Sequence, residues 1–316
     1  MPSTLSSGAA ALDAALRPVL ATGLRLTVKP VLDPRVPFAF QRAWTAAVAR
    51  AATRVPREAA LTAERLGRID AERWLPPCAR ADAALLYVHG GAFCIGSPRA
   101  NRTIGARLAL AARAPVYVPK YRLAPEHPYP AALEDVLAAY DAVRARGFAS
   151  GSIAFTGDSA GAGLVLAALV ALRERGTPLP AAAILFSPLV DVSLSGATMR
   201  VKAKDDPLLS RDWLAHCTTL YRGPLAPQDP RVSPLFASLE GLPPLGIHVG
   251  TREILLDDAA RLQVRARAAG VAVDYRRYEG LWHDFQLQAG VLPSAAESYR
   301  AAAGLLERYW PQPTAS

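Results

Sequence analysis

From residue 84 onward, short apolar runs alternate with segments of helical length, and this alternation limits the fold more than any other feature of the chain. Strands that are apolar at successive positions must be covered on both faces, and helix-length connections between them allow parallel pairing. The strand candidates are Leu85–Val88, Val116–Val118, Ile153–Phe155, Ala182–Phe186, Leu245–Val249 and Val273–Tyr278, supported by their β-branched and aromatic content. Between them, Ala131–Arg146 and Gly161–Arg175 read as helices, the second apolar nearly all round until Arg173, as a helix pressed against a sheet should be. Leu255–Ala269 and Ser294–Tyr309 have amphipathic spacing. The expectation is an α/β fold with a mostly parallel central sheet flanked by helices.

Two segments break the rhythm. The text before residue 60 is helical and punctuated by proline, and Val192–Gly241 is charged and proline-rich. Neither has the apolar content for a core of its own. Residues 1–55 and 192–241 are therefore expected to form one helical cap over a catalytic domain made of 56–191 and 242–316. No run approaches the roughly 18 apolar residues of a membrane span, so stable membrane insertion is not expected. The opening MPSTLSSGAAALDAALRP lacks a basic start and is interrupted by Asp13 and Arg17, so it does not read as a secretory signal, and the cytoplasm is the expected location. Cys78, Cys94 and Cys217 are odd in number and contain no CxxC pair, which favours free thiols over a disulfide framework or a zinc site. The net charge of +9 is scattered, with basic runs no longer than pairs such as Arg276-Arg277, so it reads as an arginine-rich surface and not as a nucleic-acid footprint.

Gly157-Asp158-Ser159-Ala160-Gly161 lies between an expected strand and an expected helix, the context in which G-x-S-x-G presents a nucleophile. A sharp strand-to-helix turn strains the backbone at the serine, requires small neighbours, and pushes Oγ out above the sheet edge. The following helix aims its N-terminal amides and positive dipole end at the same spot. His89-Gly90-Gly91-Ala92-Phe93 follows the strand Leu85–Val88, where hydrolases with this serine turn place a second set of backbone donors. Gly90 and Gly91, with the amide of Ala160, are the expected oxyanion hole. His89 is read as a packed, loop-ordering imidazole.

In this arrangement the chain order is serine, acid, histidine. After Ser159, His248 falls inside strand text, whereas His283 stands in the loop after Val273–Tyr278, free to reach Oγ, and is the expected base. His216 belongs to the cap segment and His127 to a proline-rich loop. The acid follows the strand ending at Val249, where Glu253, Asp257 and Asp258 compete. Glu253 is preferred because it stands in the loop, while the two aspartates fall in the following helix; Asp257 remains the alternative. The acid would hold the imidazole tautomer and stabilise the imidazolium.

These residues closely resemble the hormone-sensitive-lipase-like (bacterial family IV) esterases of the α/β-hydrolase superfamily over roughly residues 80 to 290. The likeness is carried by HGGAFCIGS (His89–Ser97), YRLAPEHPYPAALED (Tyr121–Asp135), GDSAG, SPLVD (187–191), DPRVSPLF (Asp229–Phe236) and GLWHDF. In that family an aspartate usually opens a D-P-L-x-D segment about thirty residues before the histidine; here the position reads Glu253-Ile254-Leu255-Leu256-Asp257, which again selects Glu253. Ala92 replaces the third glycine, and Ala162-Gly163 follow the serine turn. The resemblance implies the α/β-hydrolase fold with an N-terminal cap, hydrolysis of short- to medium-chain acyl esters through an acyl-enzyme, no metal or organic cofactor, and frequent homodimers. Amidase, deacetylase or lipase action by the same residues, and a non-catalytic small-ligand receptor on the same fold, are the alternatives.

Overall fold

The computed structural model describes residues 6–311, so the first five residues of the opening segment and the last five of the chain lie outside the described residues. Two helices, α1 (Ser7–Thr27) and α2 (Phe38–Ala52), precede a hairpin of β1 (Ala60–Leu66) and β2 (Ile69–Leu75). The alternating region then runs β3 (Ala84–Val88), α3 (Arg102–Ala112), β4 (Val116–Pro119), α4 (Ala131–Arg144), β5 (Ile153–Asp158), α5 (Ser159–Glu174) and β6 (Ala182–Phe186). After α6 (Thr198–Val201) and α7 (Arg211–Arg222) it resumes with β7 (Leu245–Gly250), α8 (Leu256–Ala268), β8 (Val273–Tyr278) and α9 (Pro293–Tyr309).

The sheet order is β1-β2-β4-β3-β5-β6-β7-β8, antiparallel at β1/β2 and β2/β4 and parallel elsewhere. From β3 the chain steps one way to β4 and then returns to place β5 on the other side. This reversal is a topological switch point, where α/β sheets bind ligands beyond the carboxyl ends of the strands. The register levels those ends: Val88 faces Gly157, Asp158 faces Phe186, and Phe186 faces His248.

One apolar core packs α4, α5 and α8 against one face of the sheet, and a second packs α3 and α9 against the other. Every residue of α5 from Ser159 to Val170 is buried, which accounts for its all-round apolar text. The six expected strands and four expected helices appear with ends shifted by three residues at most, the largest shift being the extension of β5 to Asp158. The hairpin β1–β2 was not among the strands expected from the sequence. Its outer strand, Ala-Leu-Thr-Ala-Glu-Arg-Leu, is buried only at Leu66, so it carries no apolar alternation and is held mainly by backbone pairing to β2.

The two segments outside the alternating rhythm touch one another. Arg25 of α1 donates to the carbonyls of Lys204 and Asp205, Lys29 donates to that of Asp206, and Trp213 Nε1 of α7 donates to Gln41 Oε1 of α2 at 2.9 Å. Among the described residues, no helix is long and apolar enough to cross a membrane.

Candidate active site

Strand β5 ends at Asp158 and α5 begins at the next residue, so the chain turns within one peptide. Ser159 takes the strained geometry this requires, with φ of 52°. A Cβ on Gly161 would lie 2.1 Å from the Val88 carbonyl oxygen, and one on Gly157 would lie 2.6 Å from the Gly161 backbone. Gly161 is therefore imposed by how closely the turn packs against the end of β3, and Gly157 by how tightly the turn folds on itself.

Ser159 Oγ lies 2.9 Å from His283 Nε2, and His283 Nδ1 lies 2.9 Å from Glu253 Oε2. The other carboxylate oxygen, Oε1, accepts from the Ser187 hydroxyl at 2.9 Å and from the Gly250 N–H. All three side chains are buried, Glu253 completely. Burial pushes the Glu253 carboxyl up, against the pull of His283 and the Gly250 amide. His283 is held well above the usual histidine range: burial acts to lower it, but the Asp284 and Glu253 carboxylates outweigh that effect.

The competing acids point elsewhere. Asp257 accepts from the Ala197 N–H at 2.9 Å, and Asp258 accepts from the N–H groups of Val190 and Asp191 at 3.1 Å while pairing with Arg261. Among the other histidines, His248 sits in β7 against Ser298 Oγ at 2.9 Å, and burial lowers it to about 3. His89 stacks on Tyr121 with ring centroids 4.3 Å apart, its Nδ1 2.8 Å from the Gly90 carbonyl; burial lowers it to about 4. His216 stacks on Phe38 at 5.7 Å, and His127 is exposed.

The structure corrects one expected amide. Gly90 N–H donates to Asp158 Oδ1 at 3.0 Å, beside the Tyr87 hydroxyl that donates to the same oxygen at 2.6 Å, so it is not free to meet an oxyanion. The physical reason is that Asp158, buried under the loop, accepts the first amide it meets. The next two amides, of Gly91 and Ala92, have no acceptor among the described contacts. Ala160 is the second residue of α5, where an amide has no partner within its helix.

Sequence reasoning missed three contributors. Ser187 stands inside SPLVD, a motif noted for likeness alone, and Asp158 inside the GDSAG turn, where only the serine, the Ala160 amide and the glycines were assigned a part. Asp284, adjacent to His283, places Oδ2 3.1 Å from His283 Nε2, and its Oδ1 is buried with no hydrogen-bond partner among the described residues. The doublet His283-Asp284 was the available signal.

These groups open onto a cavity of about 160 Å³ whose far wall is apolar and comes from α1, α2 and the α6–α7 region, including Leu24, Val28, Val48, Leu209 and Trp213. Among the described residues, no Lys or Arg lines it. A wider, open hollow of about 490 Å³ between Ala237–Glu240 and Arg265–Ala269 contains none of the residues above. Among the described residues, no cluster of three or more His, Cys, Asp or Glu could hold a metal, and all three cysteines are free.

The sequence signature of the α/β-hydrolase fold matches residues 85–287. The chain is 39% identical to an acetyl-hydrolase of Streptomyces hygroscopicus, over 76% of this chain and 80% of that protein. It is 38% identical to an esterase of Acinetobacter venetianus, over 70% and 73%. Among solved structures, an esterase of the bacterial hormone-sensitive lipase family superposes with a TM-score of 0.85 at 36% identity, covering 98% of this chain and all of that one.

Proposed function

Because this chain belongs to the α/β-hydrolase family, among its hormone-sensitive-lipase-like esterases, and is a serine carboxylic-ester hydrolase, we propose that Ser159 is its nucleophile, His283 its base and Glu253 the acid that orients the base. The unbroken hydrogen-bonded chain from Ser159 Oγ through both ring nitrogens to Glu253 carries this reading. With its Nδ1 proton donated to Glu253, the neutral imidazole accepts the serine proton at Nε2 as Oγ attacks the ester carbonyl. The amides of Gly91, Ala92 and Ala160 receive the developing oxyanion. The imidazolium returns its proton to the departing alkoxide, leaving an acyl-serine, and a water then repeats the cycle to release the acid.

The small apolar cavity supports a short- to medium-chain acyl group, and the relative named an acetyl-hydrolase points the same way. Residues 1–55 and 192–241 are assigned as the cap that sets this chain length. Ser159→Ala should lower hydrolysis of p-nitrophenyl acetate by about 10⁶-fold while leaving the circular-dichroism spectrum unchanged. Retained turnover in that variant would refute the assignment. Across a series of p-nitrophenyl esters, kcat/KM should peak at or below medium chain length.

A further inference from the structure

The base has more negative charge around Nε2 than proton transfer from a serine requires. One ring nitrogen meets two groups: Ser159 Oγ at 2.9 Å and Asp284 Oδ2 at 3.1 Å. In the neutral, serine-activating tautomer Nε2 presents a lone pair, which accepts the serine proton but repels a carboxylate oxygen. Both contacts are favourable at once only when Nε2 is protonated: its N–H is directed to Ser159 Oγ, and the Asp284 oxygen beside it acts as an ion partner of the ring without a hydrogen bond of its own. Other groups around this pair do not neutralise Asp284. Glu253, with Asp206 behind it, faces Nδ1 from the β7–α8 loop; Asp158 approaches from the end of β5, and the Tyr87 and Tyr299 hydroxyls from β3 and α9. The Tyr87 proton is already given to Asp158 and that of Tyr299 to the Gln286 carbonyl. Among the described residues, Asp284 Oδ1 is buried without a partner and no Lys or Arg lines the cavity. A left-handed backbone at Asp284, φ of 52°, fixes the carboxylate on this side of the ring.

Resting on the triad reading above, we propose that Asp284 is a second carboxylate partner of His283, a positioning residue that holds a proton on Nε2 in the free enzyme and again in the transition state. In the free enzyme that proton must leave to solvent before Nε2 can take the one on Ser159, so Asp284 delays activation to higher pH. In the transition state Nε2 carries the serine proton, and the same carboxylate stabilises the imidazolium. The two effects are linked: whatever factor Asp284 contributes to the plateau rate, it also adds to the apparent pKa of the acid limb.

The test is the pH profile of kcat/KM for p-nitrophenyl acetate with Asp284→Asn, a residue that tolerates the left-handed backbone, and with Asp284→Gly as a second variant. The acid limb should move down by about one pH unit. The plateau should fall by the matching factor, about tenfold. The variant and native profiles should then converge at acidic pH and separate above neutrality. A residue needed only for folding would instead lower the whole profile in parallel, with the limb unmoved, and that result in both variants would overturn the proposal. If native activity proved indifferent to Ser159→Ala, the triad reading itself would have failed.

Discussion

Two histidines near the C-terminal edge of the sheet are buried almost equally, His283 to 3% exposure and His248 to 1%, and the protein drives them in opposite directions. His248 lies within β7, its ring against Ser298 and between the rings of Phe186 and Tyr278; Arg276 on the neighbouring strand adds a repelling charge. Its hydrogen-bond partner is a hydroxyl, and the pull of Asp274, itself paired with Arg276, is too weak to offset burial, so the ring stays neutral down to about 3. His283, one loop away, faces two carboxylates, and they overcome the same desolvation. Burial sets the cost of charge, but the carboxylates within reach, Asp284 beside His283 in the chain and Glu253 from the β7–α8 loop, decide whether a buried imidazole can hold a proton.

Several measurements would break or sharpen that contrast. Replacing His283 with Gln should produce the largest effect, a loss of about 10⁶ in kcat, because base and nucleophile act as a unit. The corresponding His248→Gln variant should keep its kcat, and comparable losses in both would erase the distinction between them. Glu253→Gln should come next, lowering kcat by about 10⁴ through loss of the oriented tautomer. In Asp257→Asn the rate should stay within about twofold, as for a surface-facing change; a large loss there would move the acid to Asp257. His248→Gln should instead cost stability, about 1–3 kcal/mol, by disturbing a buried hydrogen bond to Ser298.

The smallest effect is a pH slope. His248 titrates near 3 in the fold and near 6.5 in the unfolded chain, so the unfolded state binds more protons between those values. Stability from the neutral ring is complete above about 6.5 and is lost as pH falls toward 3. His89, lowered to about 4, acts with the same sign. Thermal melts from pH 7 to pH 4 should therefore fall less steeply for His248→Gln than for the native protein. An unchanged slope would mean that another group controls acid stability.

The alternating core and the serine turn were legible because both are local. A doubly covered strand is apolar at consecutive positions, and a one-peptide turn from β5 to α5 admits only small residues at 157 and 161. The hairpin β1–β2 was not legible, since its outer strand is mostly exposed and leaves no apolar period. The loop after β3 was located as a source of backbone donors, but not which of its amides is already engaged. Gly90 and Gly91 look alike as text, and only the buried Asp158 that occupies the Gly90 amide distinguishes them.

By itself, then, the sequence determined which chemical groups are present, their order along the chain, and that each follows a strand of one sheet. Tertiary structure alone decided which carboxylate faces Nδ1, which amides remain free, and that Asp284 shares Nε2 with Ser159. The reason is physical: those relations depend on ångström-scale distances between residues 30 and 124 positions apart, set by strand register and loop packing, whereas periodicity and turn chemistry act over a few neighbouring residues.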